Sequence, residues 1–119
     1  MLTEEIALQT THDWIEAWNA HDLDRIMSHY AEGVEFTSPF IVKLLGDRTG
    51  TVKGIPELRA YFAKGLAAYP QLKFELIQIL LGVDSFIIYY RSVNDLIAAE
   101  QFFVNPAGAI VKVAAHYSI

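Results

Sequence analysis

The chain has 119 residues, 53% of them apolar, no cysteine and a net charge of −5. Scattered Lys and Arg on an acidic chain argue against a nucleic-acid partner, and the lack of cysteine excludes disulfides, thiol nucleophiles and Cys-ligated metals. No apolar run approaches the ~18 residues of a membrane span and the opening MLTEEIALQT lacks the pattern of a signal peptide, so the expectation is a cytoplasmic protein with no membrane partner.

The length predicts one domain, residues 1–119, able to bury roughly 65% of its unfolded surface without staples. The apolar share is high for a soluble monomer. It calls for an apolar cavity, a hydrophobic subunit face, or both. Thr3 suits an N-cap, and Glu4 and Glu5 suit the positive end of a first helix. At helical spacing Ala7, Thr11, Trp14 and Trp18 share a face while His12 points to solvent. Asn19-Ala20-His21 ends this helix and Asp22 caps a short second one, with Ile26, Met27 and Tyr30 on its apolar side. Gly33 is expected to turn the chain into a strand whose Val34, Phe36 and Ser38 face one way and Glu35 and Thr37 the other. Pro39 ends the pairing.

Residues 40 to 53 read as a strand, a Gly-Asp-Arg-Thr-Gly loop and a short return strand. Pro56 opens a third helix bearing Leu58, Tyr61, Phe62 and Leu66, and Pro70 stops it. From Leu72 onward four β-rich runs with short connections predict an antiparallel meander. A two-residue loop at Asn94-Asp95 would pair Arg91 with Ala98 and Tyr89 with Glu100. One face would then carry Ile87, Tyr89, Arg91, Ala98, Glu100 and Phe102. The other would carry Ile88, Tyr90 and Phe103, too apolar for solvent, which predicts a homodimer through that face. A three-residue loop would break this facing. The predicted fold class is α+β: a cone-shaped, curved antiparallel or mixed sheet wrapped around three helices of the N-terminal half, enclosing a pocket.

Trp14 to Pro39, with its Asn19-Ala20-His21-Asp22-Leu23-Asp24 corner and Tyr30-Ala31-Glu32-Gly33, resembles the opening of the SnoaL-like and ketosteroid-isomerase-like branches of the nuclear-transport-factor-2-like superfamily. Gly54 before the third helix, Leu58-Arg59 and Tyr61-Phe62 within it, and Asn105-Pro106-Ala107-Gly108 before the last strand extend the resemblance over nearly the whole chain. It implies a wide cone whose aromatics line a cavity, and a longer segment between Pro39 and Gly54 that forms a flap over it. For function it is weak, because the superfamily holds isomerases, cyclases, dehydratases, epoxide hydrolases and non-catalytic binders.

Position by position, the isomerase chemistry thins out. The resemblance places Ser38 where ketosteroid isomerases carry their general base, and an unactivated hydroxyl is no base near neutral pH. Trp14 stands where a tyrosine donor is expected, and Phe62 where a supporting tyrosine is. Glu100 takes the place of the second donor, a carboxylic acid. Steroid isomerisation with the full residue set is therefore not expected.

Glu100 has two readings: a surface or ion-paired glutamate, or a catalytic acid/base inside the cone. Desolvation would raise its pKa, whereas Arg91 on the same face would lower it. The candidate ligand-binding set is Trp14, Trp18, Tyr30, Phe36, Ser38, Phe62, Tyr89, Arg91, Phe102 and Tyr117, although aromatics at such spacing also serve as plain core. The four histidines are not spaced as ligands, so no metal is expected, nor any cofactor, and His116 reads as an outer-face residue. The expected activity is isomerase-, cyclase- or dehydratase-type acid/base chemistry by Glu100 on a small apolar or polyketide-like molecule. The alternative is a non-catalytic ligand-binding or dimerisation module.

Overall fold

The computed structural model describes residues 2–119. Helix α1 (Glu4–Asn19) starts where the Thr3 hydroxyl accepts a hydrogen bond from the Ile6 amide, satisfying one of the free N–H groups of the first turn. Its buried stripe is Ala7, Thr11, Trp14, Ala17 and Trp18, and His12 is exposed. The corner after it has a physical cause. The Asn19 side chain donates to the Phe74 carbonyl at 2.9 Å and accepts from the Phe74 amide at 2.6 Å. His21, in a left-handed conformation with φ 55°, lies 2.9 Å from the Leu72 carbonyl. These two residues clasp the segment leading into the meander, and Asp22 caps helix α2 (Leu23–Met27). Tyr30 belongs to strand β1 (Tyr30–Thr37) rather than to the second helix. Gly33 lies inside that strand, where pairing with the last strand shifts register between Tyr30 and Glu35.

The segment expected to be a strand at residue 40 is a helix, α3 (Pro39–Leu45). Ser38 caps it by accepting from the Phe40 amide, Pro39 occupies its first turn, and Gly46 ends it with φ 68°. Ser-Pro at the start and a left-handed glycine at the end outweigh the β-branched look of the apolar run between them. Strand β2 (Thr51–Lys53) follows, then helix α4 (Ile55–Ala68). Among the described residues four α-helices, not three, therefore pack on the sheet.

Strands β3 (Glu75–Leu81), β4 (Ser85–Arg91), β5 (Ile97–Val104) and β6 (Ile110–Tyr117) form the expected antiparallel meander. The sheet order is β2-β1-β6-β5-β4-β3, and β1 runs parallel to β6. The result is an open, curved mixed sheet with helices on one face, an α+β fold.

The β4–β5 hairpin departs from the expected register. Leu96 donates to the Val93 carbonyl across Asn94 and Asp95, both with positive φ, as in a two-residue turn. The Ser92 amide, however, also reaches Leu96, at its carbonyl. Ser92 and Val93 thus oppose a single residue, a β-bulge, and everything beyond it is shifted by one. Tyr90 pairs with Ala98, Ile88 with Glu100, and Phe86 with Phe102, all on the inner face. Tyr89 and Arg91 turn outward and are exposed, while Ile88 and Tyr90 are fully buried.

Candidate functional site

Between the concave sheet face and the helices lies a cavity of about 50 Å³ with an overwhelmingly apolar wall. Helix α1 supplies Trp14 and Trp18, β1 supplies Phe36, and α4 supplies Tyr61 and Phe62. Phe40 and Leu44 come from α3, so the segment after Pro39 does cover the cavity, as a helix. The meander contributes Tyr90, Glu100 and Tyr117, and the segment leading into it contributes Phe74. The rings interlock: Trp14 stacks on Phe74 at 5.5 Å between centroids and meets Tyr90 edge-on at 5.4 Å, and Trp18 meets Phe62 edge-on at 4.9 Å. Such pairs add stabilisation beyond area burial and hold the wall rigid.

Glu100 is the only carboxyl in this wall and is 3% exposed. The Tyr90 hydroxyl donates a short hydrogen bond to its Oε1, while its Oε2 has no partner among the described residues. Burial pushes the Glu100 carboxyl up to about 7, against the opposing pull of the Tyr90 hydrogen bond. No cation counters this, because Arg91 lies on the other face of the sheet. Near neutral pH both protonation states are populated. With Tyr90 donating to Oε1, Oε2 is the oxygen left free to carry the proton of the acid form.

A hydroxyl cluster continues from there. Burial, and then the Glu100 charge, raise the Tyr90 and Tyr117 phenols well above their ordinary value, and Tyr117 lines the same wall. The Tyr61 hydroxyl donates to Ser38 Oγ at 3.4 Å. These phenols stay protonated and act as donors. Trp18 adds a buried indole N–H without a partner among the described residues.

Of the sequence-predicted residues, Trp14, Trp18, Phe36, Phe62, Glu100 and Tyr117 line the cavity. The Trp14 indole N–H is engaged by the Tyr30 hydroxyl at 3.0 Å, which places Tyr30 in the core behind the wall. Phe102 packs there too, stacked on Phe86. Ser38 is buried as a helix cap beside Tyr61 rather than in the wall itself. Tyr89 and Arg91 are excluded by the bulge. Tyr90, Tyr61, Phe40, Leu44 and Phe74 were not singled out for the site, and the Ser-Pro signal was enough to find Phe40 and Leu44. Among the described residues no group of three or more His, Asp or Glu is placed to hold a metal ion.

The SnoaL-like domain family matches residues 11–116, and the chain belongs to that family. A SnoaL-like protein of unknown function from Burkholderia thailandensis E264 is 44% identical, with 98% of each chain covered and a TM-score of 0.94. The epoxide hydrolase/cyclase-like enzyme SalBIII, of pyran ring formation in salinomycin, shares the fold at 17% identity and TM-score 0.78, over 100% of this chain and 95% of that one. A protein of Kribbella flavida DSM 17836, provisionally assigned as a ketosteroid isomerase, does so at 14% identity and TM-score 0.74, over 97% and 79%. A comparison with the curated proteins gives no match.

Proposed function

We propose that the cavity binds a small, mostly apolar molecule bearing a carbonyl, hydroxyl or epoxide oxygen, and that Glu100 moves a proton on it. The observation that carries this reading is the carboxyl itself: buried in an apolar wall, fixed through Oε1 by Tyr90, with Oε2 unpartnered. A single carboxyl suffices for the chemistry. Ionised, it takes a proton from a carbon beside a carbonyl. Protonated, it returns that proton to another carbon, which is isomerisation, or to a departing hydroxyl, which is dehydration. Protonating an epoxide oxygen while an internal hydroxyl attacks, and then taking up the proton that this hydroxyl gives off, closes the ring and restores the carboxylic acid. The cyclase-like and isomerase-assigned relatives are consistent with this range.

Solvent-deuterium wash-in beside the carbonyl of a small enone such as cyclohex-2-enone, followed by NMR, tests the proposal. Glu100→Gln, folded by circular dichroism, is expected to lose about 10²-fold or more of the exchange rate. Equal exchange by the variant and the parent protein would leave the cavity as a binding site without proton transfer.

We also propose that the chain pairs with a second copy through the outer face of the sheet. Of the residues that the sequence suggested for it, Phe103 lies on this face, whereas Ile88 and Tyr90 are buried on the inner one. Leu80, Ile87, Tyr89, Ala99 and Phe103 form this face, with Leu80 49% and Tyr89 38% exposed. An uncovered stretch of this kind is characteristic of association surfaces.

A further inference from the structure

A second, larger space lies beside the inner cavity. This vestibule of about 460 Å³ shares Tyr69, Leu72, Ser92 and Val93 with the cavity wall, so these four residues form the boundary between the two. The bulge shapes this boundary. By setting Ser92 and Val93 opposite one residue it places two adjacent residues in it. On the far side the character changes. The vestibule is lined by Gln71 and Lys73 from the turn after α4, and by Asn94 and Asp95 from the hairpin tip. Lys73 and Asp95 balance in charge, and the other two are neutral amides able both to donate and to accept.

The inner space is far below the ~300 Å³ at which pockets begin to enclose drug-sized ligands. It holds a head group of a few atoms. A tail attached to that head reaches the vestibule by passing between these four boundary residues. We infer that the vestibule is a binding site in its own right, taking the neutral, hydrogen-bonding end of an elongated ligand whose small apolar, oxygen-bearing head sits against Glu100. This rests on the proposed role of the cavity. It makes the ligand a two-part molecule: a compact carbonyl-type head joined by a thin linker to an uncharged amide- or hydroxyl-bearing tail.

The two tryptophans of the chain, Trp14 and Trp18, both line the inner cavity, so their fluorescence reports occupancy there. Three probes separate the possibilities: butanone as head alone, N-(2-hydroxyethyl)-4-oxopentanamide as head with neutral tail, and 4-oxopentanoate as head with anionic tail. The amide is expected to bind about tenfold more tightly than butanone, a difference the size of one or two net hydrogen bonds, and more tightly than the carboxylate. Gln71→Ala with Asn94→Ala should remove that advantage and leave butanone unchanged. Butanone binding with no gain from the neutral tail, or rim variants that weaken both probes equally, would overturn the vestibule site alone. No fluorescence response to any probe would overturn the cavity reading together with it.

Discussion

At the scale of residues, the proposed chemistry rests on the pair Tyr90–Glu100. A carboxyl whose value rises on burial couples charge to stability. Folded Glu100 titrates near 7, whereas an exposed glutamate titrates near ~4.3. The folded state therefore prefers the protonated form. Its stabilising effect is complete below the unfolded value and is lost as pH rises through about 7. The loss is on the order of 3 kcal/mol across that window. Glu100→Gln carries no titrating proton, so it is expected to abolish this contribution. Urea unfolding at pH 4.5 and at pH 8 checks it, because the stability difference between variant and parent should shift in the variant's favour by that amount at the higher pH. The same stability difference at both pH values would mean that Glu100 is not desolvated.

At the scale of elements, the helices and the meander were legible because their signals are local and redundant. Thr3, Asp22, Pro56 and Pro70 mark ends, and the spacing of Trp14 and Trp18 marks a face. Two elements were not legible for different physical reasons. The run from Phe40 to Leu45 is apolar and β-branched enough to pass for a strand, and only its flanks, Ser38-Pro39 and Gly46, declare a helix. The bulge at Ser92 and Val93 leaves no residue-type signature, since the turn at Asn94-Asp95 looks the same with or without it. One extra residue there reverses the side-chain alternation along β4, which is why Tyr89 and Arg91 were expected in the site and Tyr90 was not.

The Asn19 clasp belongs to this scale as well. Its side-chain amide satisfies both backbone groups of Phe74. Asn19→Ala would leave them without that partner and loosen the entry to β3. A loss of roughly 1–3 kcal/mol is expected, and chemical denaturation measures it. Trp14 and Trp18 both contact the Phe74 ring, so the variant's folded-state tryptophan emission should shift to the red. An unchanged midpoint would show that solvent replaces the clasp at no cost.

At the scale of the molecule, the sheet divides two tasks. Its concave side carries the cavity, and its outer side carries the surface proposed for self-association. Lys112 sits 5.9 Å from the Phe103 ring centroid at the margin of that outer face, where a cation covers an aromatic that would otherwise meet water. Sedimentation at micromolar concentration should give twice the 13.4 kDa chain mass, and Leu80→Asp with Phe103→Asp should return the single-chain mass with the circular dichroism spectrum retained. A single-chain mass for the parent protein would rule out the pairing.

The hairpin bulge has a consequence for how this scaffold could change its chemistry. Point substitutions alter the cavity one side chain at a time. A one-residue insertion at the β4–β5 tip, if β4 slides to absorb it, exchanges the whole inner face of that strand in one event. Phe86, Ile88 and Tyr90 would leave together, and Ile87, Tyr89 and Arg91 would enter. The carboxyl at Glu100 would then face a guanidinium instead of a phenol, and would be held ionised at neutral pH. The proposed proton shuttle would become an anchor for a polar ligand without any change at Glu100 itself.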